Sequence, residues 1–161
     1  MKRIMIIAAL LLTAFAAIAQ DGRSIYRKYS GSEGVTAVYI SPAMFRMIGK
    51  IPDLDVEGDN VNLAPIIQSL SGLYLIESEN PKINAELKAD AEALVESGKF
   101  ELLMEVREES ETVRMYTIGT ETIVTGFVMI SDEGDETVFI CLDGRMNRND
   151  LENLLAEKMK E

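Results

Sequence analysis

The sequence predicts an α+β fold: a two-layer sandwich whose mixed sheet of five to six strands ends in an antiparallel meander, with helices mainly on one face. Three observations point there. Six segments carry the β-branched or alternating pattern of strands. The helical stretches each show a single apolar stripe, so each has one side to bury. The last four strand segments are separated by short connections at 108–111, 119–121 and 132–135, and connections of that length join antiparallel neighbours.

Taken in order, Ser24 to Ser30 reads as a helical lead-in, and Val35 to Ile40 as an alternating β-branched strand. Ser41-Pro42 pairs a capping hydroxyl with proline at a first helical position, and Met44, Phe45 and Ile48 then share a face up to Gly49. Residues 51–60 are loop-like. Leu63, Ile66, Ile67 and Leu70 give a helix face closed by Gly72, and Leu73 to Ile76 a buried-type strand. Asn80-Pro81 opens the clearest helix, with Ile83, Leu87, Ala91 and Leu94 on one side and Gly98 at its end. Phe100, Leu102, Met104 and Val106 alternate with more polar positions as a strand buried on one face. Strands at 112–118, 122–131 and 137–142 follow. Asn149 with Glu152 resembles a capping box for a last helix whose apolar side is Leu151, Leu154, Leu155 and Met159.

Ahead of this domain, Lys2 and Arg3 precede an uncharged apolar run to Ile18, and Ala17-Ile18-Ala19 is a small-x-small cleavage site. The expectation is a signal peptide over 1–19 and one α+β domain over 20–161. The apolar run is shorter than the roughly 20 residues a spanning helix needs, so no membrane insertion is expected after cleavage, and the mature protein is expected to be periplasmic or secreted. Its 142 residues suffice to bury roughly two-thirds of the unfolded surface without staples.

The chain has 16 basic and 27 acidic residues and no histidine. Removing residues 1–19 takes away two basic residues and no acidic ones, leaving a net charge of −13. That balance argues against nucleic acid and anionic membranes, both of which need Lys/Arg clusters. The lack of histidine excludes Ser-His-Asp and Cys-His catalysis and imidazole metal sites. Cys141 is the single cysteine, so it forms no internal disulfide, and its setting in Val138 to Leu142 predicts a packed core thiol. No cofactor is implied, and no residue is singled out as catalytic, cofactor-binding or metal-binding.

Weaker patterns remain. Asp53, Asp55, Glu57 and Asp59, with Gly58 at the sixth position, imitate a calcium loop, but position twelve is Ala64 where a bidentate glutamate is required. Met44 and Met47 have the spacing of a soft-metal pair, and core packing is the expected reading. The one locally basic aromatic patch is Tyr26, Arg27 and Tyr29 with Lys28. It is the candidate partner contact, since Tyr and Arg anchor interfaces; a lead-in turn docked on the sheet is the alternative.

The run Tyr26-Arg27-Lys28-Tyr29-Ser30-Gly31-x-Glu33-Gly34-Val35-Thr36-x-Val38-Tyr39-Ile40-Ser41, followed by Met44-Phe45, resembles the opening of a family of small exported Bacteroidetes proteins described only as a domain of unknown function. The Asp143-Gly144 turn before the last helix and the Ala17-x-Ala19-Gln20 cleavage site are similar to that family as well. The resemblance covers nearly the whole mature chain and brings no catalytic residues with it. It implies a link to envelope stress or signalling. The leading functional expectation is a non-enzymatic module that contacts an unknown protein or small ligand in the cell envelope. A carboxylate-dependent hydrolase and a weak calcium-binding envelope protein are the alternatives.

Overall fold

The computed structural model describes residues 21–48 and 64–158. The expected signal peptide and the calcium-like acidic loop fall outside them. Asp21 begins the described chain by capping helix α1 (Gly22–Tyr29), accepting a hydrogen bond from the Ser24 amide at 2.7 Å while the Ser24 hydroxyl accepts one from the Asp21 amide at 3.1 Å. Strand β1 (Val35–Ile40) leads into α2 (Pro42–Ile48), where Ser41 Oγ accepts from the Met44 amide at 3.3 Å as its sequence implied. Helix α3 (Ala64–Ser69) passes directly into β2 (Leu70–Ser78), so Gly72 lies within a strand and does not close the helix.

Asn80 caps α4 (Pro81–Ser97), its side-chain oxygen accepting from the Lys82 amide at 3.1 Å, and Pro81 occupies a first-turn position where no N–H is needed. The helix ends at its Gly98 cap as expected, and Lys99 follows at φ 56°, a left-handed position. Strands β3 (Glu101–Arg107), β4 (Thr112–Gly119), β5 (Ile123–Asp132) and β6 (Thr137–Asn147) form the meander, and α5 (Arg148–Lys158) follows without a loop. The expected turn at Asp143-Gly144 is strand instead. A Cβ at Gly144 would lie 2.5 Å from the Ser69 carbonyl, so this glycine serves a close backbone approach to the start of β2 and not a reversal. The helix cap moves accordingly: Asn147, not Asn149, accepts from a helix amide, at 3.0 Å.

The six strands make one sheet in the order β1-β2-β6-β5-β4-β3. The α+β sandwich is as expected; the mixed pairing is not, because every neighbouring pair is antiparallel. The crossover through α4 does join two strands of the same direction, β2 and β3. The returning meander fills the space between them, so no two parallel strands touch.

On one sheet face α1 and α4 cover Tyr74, Ile76, Val128, Ile130, Phe139 and Cys141, with Leu87, Ala91, Leu94 and Val95 of α4 and Ile25 and Tyr29 of α1. The opposite face is not bare. At one end Ile66 of α3 and Leu151 of α5 close over Val124, Phe127 and Met146, and α2 touches α3 and β2. The expected face carries α1 and the long α4, while α2, α3 and α5 gather on the second face. Bulges allow this. A register shift between Val124 and Gly126 turns Val124 to the same side as Phe127.

Two readings of burial are corrected. The strand expected to be buried on one face, β3, is the sheet's far edge: Leu102 is 52% exposed, and a bulge sends Leu102 to the α4 side opposite Tyr116 and Met104 to the other side opposite Met115. Met44 and Met47, expected in the core, are exposed on α2, whose buried residue is Phe45.

Candidate functional site

The Tyr26–Tyr29 patch is divided by its own helix. Gly22 sits so closely on the sheet that a Cβ there would overlap the Cys141 sulfur, which brings α1 down flush. Ile25 and Tyr29, a turn apart, are then buried. The Tyr29 hydroxyl donates to Asp90 Oδ2 of α4 at 2.6 Å, and the Lys28 ammonium donates to the same oxygen at 2.6 Å while lying 4.9 Å from the Tyr29 ring centroid. Burial, then the bond to Asp90, pushes the Tyr29 phenol up to about 12, and Asp90 followed by Tyr29 raises Lys28 above its ordinary value. Of the three residues singled out in the sequence, Tyr29 is thus spent inside the fold, Tyr26 is half-buried, and Arg27 is exposed. The lead-in helix is docked on the sheet through Ile25 and Tyr29, and Arg27 with part of Tyr26 stays at the surface.

Tyr26 joins a three-ring cluster that the sequence did not reveal. Tyr39 of β1 stacks on Tyr74 of β2 with centroids 5.2 Å apart, and Tyr26 tilts against both at 5.9 and 6.0 Å. Beside it, the Cys141 thiol donates weakly to Asp143 Oδ1 at 3.8 Å. Burial and then the Asp143 charge push the thiol up, which removes it as a nucleophile. Asp143 is half-buried, and burial followed by the nearby Asp21 raises its carboxyl above the usual range. A carboxyl raised in the folded state contributes stability below its unfolded value near 4 that is lost as pH rises through the folded value. Asp143→Asn is therefore expected to stabilise the protein at pH 7 and to flatten the decline in melting temperature above about pH 4; a melting series over pH 4–8 checks it, and an unchanged slope would refute it.

A carboxylate-based hydrolase needs acidic groups converging in a concavity, with one of them raised. Here the requirements are met in different places. The open cleft between the β4–β5 turn and the start of α5 is lined by Glu101, Gly119, Thr120, Glu121 and Arg148, and its glutamates are exposed. The Arg148 guanidinium is turned to the Thr120 carbonyl, at 3.0 and 3.2 Å. Neither of the raised carboxyls, Asp143 and Glu136, is among the residues lining that cleft. Among the described residues no group of three or more His, Cys, Asp or Glu side chains is placed to hold a metal ion, and no helix is long and apolar enough to cross a membrane.

A further surface lies on the second sheet face, beyond α2, α3 and α5. Successive register partners Val38, Leu75, Ile140, Met129, Met115 and Met104 form one apolar row across all six strands. Val38 is 40% exposed and the other five are half-buried, Met115 and Met129 resting in part against the Phe127 and Met146 cluster. At about 4.8 Å per strand the row runs roughly 24 Å. Sequence reasoning passed over it because it read Leu73 to Ile76 simply as a buried-type strand and did not align the strands with one another. The signal was present in Leu73-Tyr74-Leu75-Ile76 and Val128-Met129-Ile130, apolar at consecutive positions as strands covered on both faces are.

One family model, described as a domain of unknown function (DUF4252), matches residues 29–154, a span holding all six strands and α4. No curated protein and no solved structure matches the chain.

Proposed function

The chain belongs to the DUF4252 family of unknown function, and from that premise we propose that it is a non-enzymatic interaction module of the cell envelope, exported by its leader and released to the periplasm or the medium. The apolar row from Val38 to Met104 carries the reading. A contiguous apolar surface on an otherwise acidic protein marks a contact site for a protein or an apolar small ligand. Three of its six members are methionines, whose flexible thioethers adapt to a partner's shape. The resemblance to small exported Bacteroidetes proteins adds the leader and a tie to envelope stress or signalling.

The test compares affinity capture from envelope extract by the protein with capture by Met115→Asp and Met129→Asp variants. A stoichiometric partner held by the wild type and lost with both variants supports the reading. Equal capture by all three, or none by the wild type, overturns it. The raised carboxyl of Asp143 favours one second reading, a carboxylate-dependent hydrolase. It predicts turnover of ester or glycoside chromogenic substrates that disappears in Asp143→Asn.

A further inference from the structure

The two edges of the sheet are defended differently. Edge β3 carries Glu101, Glu105 and Arg107 and a bulge between Leu102 and Met104, all features that discourage strand addition. Glu105 is bound by Arg107 Nε at 2.7 Å and by Arg114 Nε at 2.6 Å, and these two guanidiniums, Arg107 first, hold its carboxyl at about 2. Edge β1, Val-Thr-Ala-Val-Tyr-Ile, has no charge, proline, glycine or bulge. The Glu79 amide donates to the Gly34 carbonyl at 3.1 Å, so even-numbered residues of β1 turn their peptide groups toward β2, and Val35, Ala37 and Tyr39 turn theirs outward. No backbone hydrogen bond among the described residues reaches those three from the open side. Val38 and Tyr39, on opposite faces of this strand, are each 40% exposed.

We infer that β1 pairs antiparallel with β1 of a second copy of this chain, joining two six-stranded sheets about a twofold axis. Three features select a second copy as the occupant. An uncharged strand meets itself without like charges opposed in the ladder. The twofold continues the apolar row from Val38 of one copy into Val38 of the next, covering the exposed end of each. The ends of the edge are also complementary. Glu33, Glu77 and Glu79 lie at the Val35 end, where burial and then Glu77 raise the Glu136 carboxyl in a crowd of acids. At the other end Arg46 stands exposed on α2, past Ile40, while Arg23 near Tyr74, the register partner of Tyr39, is matched there by Asp143 and Asp21. Antiparallel pairing sets the acidic end of each copy beside Arg46 of the other.

The inference does not depend on the envelope reading. Its test is the mass in solution of the protein expressed from its full sequence, by light scattering from roughly 1 to 100 µM, a range that brackets micromolar dissociation constants. The expected result is a dimer, weakened at about 1 M salt where charges are screened. Ala37→Pro removes an outward donor and Val38→Lys places a charge on the edge; both are expected to give monomers with unchanged far-ultraviolet dichroism. Met129→Asp, in the middle of the open face, is expected to remain dimeric. A wild-type monomer throughout the range overturns the proposal, as does a folded Val38→Lys dimer. Loss of the dimer in Met129→Asp with its retention in Val38→Lys overturns it in favour of face-to-face packing. If Ala37→Pro fails to fold, Val38→Lys decides alone.

Discussion

Phe139→Ala is expected to cost about 3–5 kcal/mol of folding stability, the range for removing a fully buried aromatic ring. Phe139 is 0% exposed on β6, whose neighbours on either side are β2 and β5. Its register partners Ile76 and Ile130 are buried beside it, and Leu87, Ala91, Leu94 and Val95 of α4 close the same cluster. The truncation leaves a void that three strands and a helix cannot all move to fill. Against a typical total of roughly 5–15 kcal/mol this is a large share, equivalent to about 10 °C in melting temperature for a domain of this size. Ile140→Ala, the next residue and a member of the open row, is expected to cost clearly less, because its side chain is partly solvated already. Urea unfolding of both variants tests the assignment of faces: equal losses would mean that the open row is as covered as the core.

The second large effect is at Tyr29. Tyr29→Ala removes a ring that is 2% exposed and its bond to Asp90, and is expected to cost about 3–5 kcal/mol. Tyr29→Phe keeps the ring and loses only the hydroxyl, at about 1–2 kcal/mol. The pair also carries a pH signature. Burial raises the Tyr29 phenol to about 12, and Asp90 raises Lys28. For each, the folded state holds the proton more tightly than the unfolded chain, so the stabilisation is complete below about pH 10 and is lost as pH rises from there. Wild-type melting temperature should fall between about pH 10 and 12, more steeply than that of Tyr29→Phe. Parallel curves would remove Tyr29 from the docking of α1.

The candidate surface was less legible in the sequence than the elements were. The order of helices and strands, the caps at Ser41 and Asn80, and the core role of Cys141 follow from local chemistry: a side-chain oxygen two or three residues before an amide, a proline where no donor is needed, a thiol among apolar neighbours. The Tyr26–Tyr29 patch looked like a contact site because four consecutive residues carried rings and charge. Helical geometry separates them. One turn places Ile25 and Tyr29 underneath and Arg27 outside, and only the proximity of Asp90, 61 residues away, gives the tyrosine hydroxyl a partner inside the protein.

By itself the sequence determined that this is an α+β chain with a stapleless core, without histidine chemistry, and with strands and helices in the order observed, because those properties depend on residue types and their spacing along a few turns or strand lengths. The tertiary structure alone decided which strands are edges, where bulges reverse a side chain, and that Val38, Leu75, Ile140, Met129, Met115 and Met104 align. A strand's period of two says which residues share a face; it carries no information on which neighbour lies beside it or what covers that face. Alignment in one row of residues as distant as Val38 and Met104 is set by the crossover through α4 and by the competition of whole strands for partners, and from that competition the sheet acquires its open row and its undefended edge.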